Sequence, residues 1–217
     1  MLLYDYFRSS AAYRVRIALA LKGVPVERRF VHLLRDGGEQ KQPAYLAKNP
    51  QGLVPALELD DGTVLTQSLA IIDYLEALQP EPRLIPADPI RAARARAAAL
   101  AIACDAHPLG NLRVVSYLQQ QLGQSERAVL DWRRHWASLG LEAVEALIRP
   151  APFCFCVTPT IADVCLAPHV FYAERFGVSL DPYPNIRAVA AVCAEHPAFQ
   201  AAHPAAQPDA AEAAAGP

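Results

Sequence analysis

The rhythm of apolar and polar positions changes once along the 217 residues, near residue 80. Before that point, short apolar runs alternate with helical spacing. Leu2–Tyr6 reads as an apolar strand, and Ala11–Lys22 as a helix closed by Gly23 and then Pro25. Glu27–Leu33 is strand-like, and Pro43–Ala47 fits a short helix. Pro55–Leu59 and Thr63–Leu65 flank Asp60-Asp61-Gly62, a tight-turn sequence that predicts a hairpin. A helix from about Ser68 to Ala77 completes the unit. Strand, helix, strand, then a short helix, then two strands and a helix predict a small mixed sheet with helices packed on it.

That order is the thioredoxin-like pattern, and it assigns residues 1–80 to one domain. Residues Gln79 to Pro89 then place four prolines in eleven positions, and 81–89 suits a stiff linker. From Ile90 onward the chain is rich in Ala, Leu and Arg, with helical periodicity and no convincing strand. Helices are expected at about 90–121, 125–148, 160–176 and 184–195, with a kink near His107 where Pro108 interrupts the first. The fold class is therefore α/β followed by all-α, with an all-helical domain over 90–209. Fraying is expected beyond Gln207, with 210–217 a disordered tail.

Charge adds exclusions. The 20 Lys and Arg balance 22 Asp and Glu, the net charge is −2, and no basic run stands out, so nucleic acid is not an expected partner. No run approaches the roughly 20 apolar residues of a membrane span. The first residues enter a strand with no basic-then-apolar leader, which predicts a soluble cytoplasmic protein. The five cysteines (Cys104, Cys154, Cys156, Cys165 and Cys193) lack metal-ligand spacing and read as reduced thiols. No HxxxH, nucleophile elbow or phosphate loop is present, so no metal is expected.

Candidate chemistry lies in two stretches. Phe7-Arg8-Ser9-Ser10 joins the first strand to the first helix. A helix start presents unpaired N–H groups and partial positive charge, and a thiol held there becomes a thiolate more readily. Ser9 and Ser10 are hydroxyl donors at that spot or ordinary caps, and Arg8 is a carboxylate partner or a solvated cation. Val54-Pro55 precedes a strand; a cis bond there would turn the Val54 main chain outward to pair with an extended peptide. Gln67-Ser68, at the next helix start, is a carboxylate site or again a cap. Together these describe a site for a small extended peptide with a carboxylate and a thiol, as in glutathione. Thr160-Ile161-Ala162-Asp163 is a structural capping box variant. His107, with Asn111 and Arg113, and Arg175 in Glu174-Arg175-Phe176 read equally as functional and as structural residues.

Four motifs carry a resemblance. Tyr4 through Gly23, Asn49-Pro50-Gln51-Gly52-Leu53-Val54-Pro55-Ala56-Leu57, Gln67-Ser68-Leu69-Ala70-Ile71-Ile72, and Ala173 through Pro184 resemble the zeta class of glutathione transferases. The likeness runs to about Asp209 and takes in the His203-Pro204…Gln207-Pro208-Asp209 tail. It implies a glutathione transferase fold, a homodimer and a glutathione-dependent cis–trans isomerase, of maleylacetoacetate or, as the alternative, of maleylpyruvate. Transfer or dehalogenation of α-haloacids is a third option, and a non-catalytic binding module a fourth. By motif, Ser9 corresponds to the serine holding the glutathione thiolate, with Ser10 and Arg8 beside it. Val54, with Pro55, corresponds to the pairing with the cysteinyl backbone, Gln67 and Ser68 to the γ-glutamyl anchor, and Gln40 and His107 to further glutathione contacts. Arg8, Arg113 and Arg175 correspond to residues that hold a dicarboxylate substrate. Many members carry Cys two residues after the first serine; here Ala11 stands there, so thiol side chemistry at that position is lost.

Overall fold

The computed structural model describes residues 1–210, and most of the expected tail (211–217) lies outside the described residues. Two compact units divide the chain. One comprises Met1–Pro82 together with the segment from His196 onward, and the other Arg83–Glu195.

The first unit is built on four strands, β1 (Leu2–Asp5), β2 (Glu27–Phe30), β3 (Ala56–Glu58) and β4 (Val64–Thr66), in the order β2-β1-β3-β4. β1 pairs parallel with β2 and antiparallel with β3, which pairs antiparallel with β4. Leu3, Tyr4 and Asp5 of β1 are all buried, as expected of a central strand covered on both faces. The helices are α1 (Ser10–Lys22), α2 (Pro43–Leu46) and α3 (Ser68–Leu78), with α9 (Pro197–Ala202) contributed by the end of the chain. α1 packs against α3 and α9. Gly23 ends α1 at φ 64°, a left-handed conformation in which glycine carries no Cβ penalty. β2 stops at Phe30 rather than at the expected Leu33, because the chain turns away where the His32 N–H donates to the Glu39 carboxylate at 2.7 Å.

Three charges are buried in α1, and each has a structural partner. Arg16 pairs with Asp5 at 2.7 Å. Lys22 pairs with Glu76 at 2.5 Å and donates to the Gln79 and Pro82 carbonyls at 2.8 Å each, closing the end of α3. Arg14 donates to Ser68.

The second unit holds α4 (Pro89–Leu100), α5 (Leu112–Gln120), α6 (Glu126–Leu147), α7 (Ile161–Arg175) and α8 (Pro184–Glu195). The interruption expected near His107 is broader than a kink. After α4 the chain winds as a π-helix over Ala101–Ala106 and as a 3-10 turn over His107–Gly110 before α5 begins. Leu141, Val144, Ile148, Val164, Leu166, Ile186 and Val189 form the interior of this unit. The capping box is formed: Thr160 N–H donates to Asp163 Oδ2 at 2.8 Å, and Asp163 Oδ1 also accepts the Cys154 N–H at 2.8 Å. None of the five cysteines is in a disulfide, and three of them are buried.

The fraying expected just beyond Gln207 is corrected by the structure. Gln207 and Asp209 are buried in the first unit because their side chains hold fixed backbone partners, described below.

Candidate functional site

Sheet register brings the first unit's candidate residues to one edge. Tyr4 lies opposite Ala56, and Ala56 opposite Thr66. Hence the end of β1, the start of β3 and the end of β4 coincide. The Ser9 turn, the Val54–Pro55 bond and the Gln67–Ser68 helix start all leave the sheet there. β2 ends at the same edge, since Asp5 is opposite Phe30, and leads on toward Gln40.

Ser9 is the N-cap of α1. Its Oγ accepts the Ala12 N–H at 3.2 Å, so the hydroxyl proton is directed elsewhere and can be donated. The Ser10 and Ala11 N–H groups belong to the first turn and have no intrahelical acceptor. α1 has no acidic residue in its first turn, so nothing there neutralises the positive helix end. Ser10 is buried beside Ser9. Arg8 is exposed, its guanidinium 4.8 Å from the Phe7 ring centroid.

Val54–Pro55 is a cis peptide, a conformation the sequence allowed without favouring. The preceding carbonyl, that of Leu53, accepts from Tyr45 Oη at 2.6 Å and Asn49 Nδ2 at 2.7 Å. Burial pushes the Tyr45 hydroxyl pKa above its ordinary range, keeping it a donor. The Val54 N–H and C=O have no hydrogen-bond partner among the described residues. Gln40 is buried; its Nε2 donates to the Leu33 carbonyl at 3.3 Å, and its Oε1 has no partner among the described residues.

Gln67 stands at the cap position of α3 without capping it. Its φ of 68° is left-handed, and its Nε2 donates to Gln51 Oε1 at 2.8 Å. Ser68 is buried, and its Oγ accepts from Arg14 Nη1 at 3.3 Å. Two helix starts, the hydroxyls of Ser9, Ser10 and Ser68, and the open Val54 main chain thus share an edge. The open Val54 main chain has the geometry for pairing with an extended strand, and each helix start has the geometry for an anion.

The second unit carries the other candidates. His107 opens the 3-10 turn, and Arg113 is exposed in the first turn of α5, which Asn111 caps at 3.1 Å. Arg175 ends α7, exposed, 5.1 Å from the Phe176 ring centroid. Sequence reasoning missed Arg133 of α6. It donates to the Gly110 carbonyl at 2.9 Å and the Tyr172 hydroxyl oxygen at 3.1 Å, tying the His107 turn to α7. Burial raises the Tyr172 hydroxyl pKa while Arg133 opposes the rise. Nothing in Trp132-Arg133-Arg134 marks the middle residue. Tyr45 and Asn49 were also missed as clamps, although Asn49-Pro50 is a turn signal. Among the described residues no His/Cys/Asp/Glu cluster could hold a metal, and no helix is long and apolar enough to cross a membrane.

Comparison with known proteins places these features in a family. Residues 8–78 match the model of the glutathione S-transferase N-terminal domain, and 118–191 that of the C-terminal domain. The chain is 54% identical to maleylacetoacetate isomerase of Pseudomonas aeruginosa, over 96% of this chain and 98% of that one. It superposes with a TM-score of 0.91 on holo maleylpyruvate isomerase, a bacterial zeta-class glutathione S-transferase, at 48% identity over 96% of this chain and 99% of that one. The same score is reached with maleylacetoacetate isomerase of Methylobacterium extorquens AM1 containing malonate and glutathione, at 39% identity over 96% and 99%.

Proposed function

This chain belongs to the glutathione S-transferase family, in its zeta class, and we propose that it is a glutathione-dependent cis–trans isomerase converting maleylacetoacetate to fumarylacetoacetate. The observation that carries the reading is the shared sheet edge, where the Ser9 helix start, the open Val54 main chain and the Gln67–Ser68 helix start lie together. The relative from Methylobacterium extorquens binds glutathione and malonate, a small dicarboxylate.

The residues present fit glutathione. The Val54 N–H and C=O are available for strand-like pairing with a peptide. Ser68 and Gln67 offer a hydroxyl, an amide and a helix start to the γ-glutamyl carboxylate. Gln40 and His107 are assigned further contacts. When bound, glutathione supplies a thiolate that adds reversibly to the cis double bond, allows rotation about the resulting single bond, and leaves unchanged.

The chain does the rest. Ser9 donates its hydroxyl proton to the sulfur while the start of α1, with Ser10 and the Ala11 N–H, lowers the thiol pKa. On the family resemblance Arg8, Arg113 and Arg175 are assigned to the substrate carboxylates, and a guanidinium beside the substrate also stabilises the charge that moves onto its oxygen during addition. Ala11 provides no thiol of its own, so the sulfur comes from glutathione alone.

A second reading, maleylpyruvate isomerase, is favoured by Arg113 and by the likeness to the holo maleylpyruvate enzyme. A cytoplasmic homodimer completes the proposal, on the family resemblance. The test is isomerisation of maleylacetoacetate and of maleylpyruvate by the purified protein, with and without glutathione. Turnover that depends on glutathione supports the proposal, and the faster substrate chooses between the two readings. Absence of turnover with both removes it.

A further inference from the structure

The tail motif His203-Pro204…Gln207-Pro208-Asp209 has no part in the reaction as described, yet it returns to the catalytic turn. Between β1 and α1 only Tyr6, Phe7, Arg8 and Ser9 set where the Ser9 hydroxyl stands. The polar main-chain groups of that turn are held from three directions. Tyr6 N–H donates to Asp5 Oδ1 at 2.7 Å, and Ser9 N–H to the Tyr6 carbonyl at 2.9 Å. Arg16 donates to the Phe7 carbonyl at 3.0 Å and the Tyr6 carbonyl at 3.4 Å. The Phe7 N–H donates to Asp209 Oδ2 at 2.8 Å, across 202 positions of sequence.

The segment that carries Asp209 is itself fixed. Arg16 Nε donates to the Ala202 carbonyl at 3.0 Å. Gln207 Nε2 donates to the Ala201 and His203 carbonyls at 2.9 and 2.7 Å, and Gln207 Oε1 accepts from Arg28 Nη1. Asp209 is 6% exposed, and its Oδ1 has no partner among the described residues, so the Phe7 bond fixes this carboxylate's place. A carboxylate accepting an N–H makes a short, directional bond.

We propose that Asp209 is a positioning residue for catalysis: through the Phe7 N–H it fixes the turn that presents Ser9 to the glutathione sulfur. The assignment rests on the reading of Ser9 given above. Phe7 is held on both sides, by Asp209 at its N–H and by Arg16 at its carbonyl. Release of one side frees the turn while α1 stays packed on α3. A misplacement of about 1 Å at a reacting group costs on the order of a hundredfold in rate, so even part of that freedom is measurable.

The experiment compares full-length wild type, Asp209→Ala and Asp209→Asn in two ways. Amide hydrogen exchange at Phe7 and Ser9 is measured without glutathione, and the ultraviolet thiolate absorbance of bound glutathione is titrated with pH. Asparagine keeps an acceptor at the same position. The expected result is Phe7 exchange at least about tenfold faster in the alanine variant. The bound thiol pKa rises there by about one unit, and asparagine restores both. A contact that served stability alone would lower the melting temperature and leave the thiol pKa where it was. Should the alanine variant not fold, Asp209→Glu displaces the acceptor by one methylene and takes its place. A wild-type thiolate band whose pKa is unchanged in the alanine variant, or unchanged Phe7 exchange there, overturns this assignment alone. Absence of the band in wild type overturns the glutathione reading, and this assignment with it.

Discussion

Arg14 in α1 donates through Nη1 to Ser68 Oγ in α3 over 3.3 Å, so a buried guanidinium stands behind a hydroxyl at the second helix start. The bond directs the lone pairs of Ser68 and adds positive charge where a carboxylate is expected to dock. Arg14→Met is therefore expected to raise KM for glutathione about tenfold, with kcat at saturating glutathione within about twofold. Initial-rate kinetics decide; an unchanged KM removes the link.

Ser9 and the arginines should separate in kinetics. Ser9→Ala loses a donor to the thiolate, and kcat should fall roughly 10²-fold. The same change removes an N-cap worth about 1 kcal/mol, so the melting temperature falls too, whereas Ser9→Thr keeps both functions. Arg8→Met and Arg175→Met should mainly raise KM for the dicarboxylate. A Ser9→Ala enzyme with wild-type turnover would falsify the role given to Ser9.

Gln67 sets stability against binding. A side chain at φ 68° costs on the order of 1 kcal/mol, which glycine does not incur. Gln67→Gly is expected to raise the melting temperature slightly while weakening glutathione binding severalfold. Calorimetry of unfolding and of binding tests both halves, and movement in the same direction contradicts the assignment.

Gly140 of α6 is a close approach. A Cβ there would lie 2.6 Å from Ala106 Cβ and 2.9 Å from His169 Nε2, both on packed helical segments. Gly140→Ala should destabilise the protein by about 2 kcal/mol, lowering the melting temperature by roughly 5 °C. A melting curve that superposes on wild type would show that the helices separate freely.

His203 predicts an acid-sensitive end of the chain. Burial, and then the nearby Arg16, depress its pKa, while its Nδ1 accepts the Ala205 N–H at 3.2 Å. The folded state therefore favours neutral imidazole. The unfolded chain takes up its proton near pH 6.5, so the contribution is complete above that pH and declines as pH falls through it. Wild type should lose more melting temperature between pH 7.5 and 5.5 than His203→Asn, which keeps a capping oxygen; parallel curves exclude the effect.

The elements legible in sequence are those with local signals. Gly23 after Lys22 ended α1 where expected, Asp60-Asp61-Gly62 made the hairpin, and Thr160 with Asp163 started α7. The serines and Gln67–Ser68 were visible because helix starts have recognisable residues. What stayed hidden depends on distant partners. The cis bond at Pro55 follows a Leu53 carbonyl held by Tyr45 and Asn49, and no local pattern reports that clamp. The π-helical turn at Ala101–Ala106 lies in an Ala-rich run whose periodicity also fits an unbroken α-helix. Asp209 looked like part of a frayed end because composition there is Ala and Pro, and its partner is 202 residues away.

The first unit is assembled from Met1–Pro82 and the segment from His196 onward, with the helical unit synthesised between them. On the ribosome Phe7, in the serine-bearing turn, is made 202 positions before Asp209. At ordinary synthesis rates on the order of ten seconds separate them. On the role proposed for Asp209, the nascent protein holds the Ser9 turn without its brace until then, and a product terminated before residue 209 keeps the serine but lacks that brace. On the role proposed for Asp209, its synthesis is the event that sets the turn.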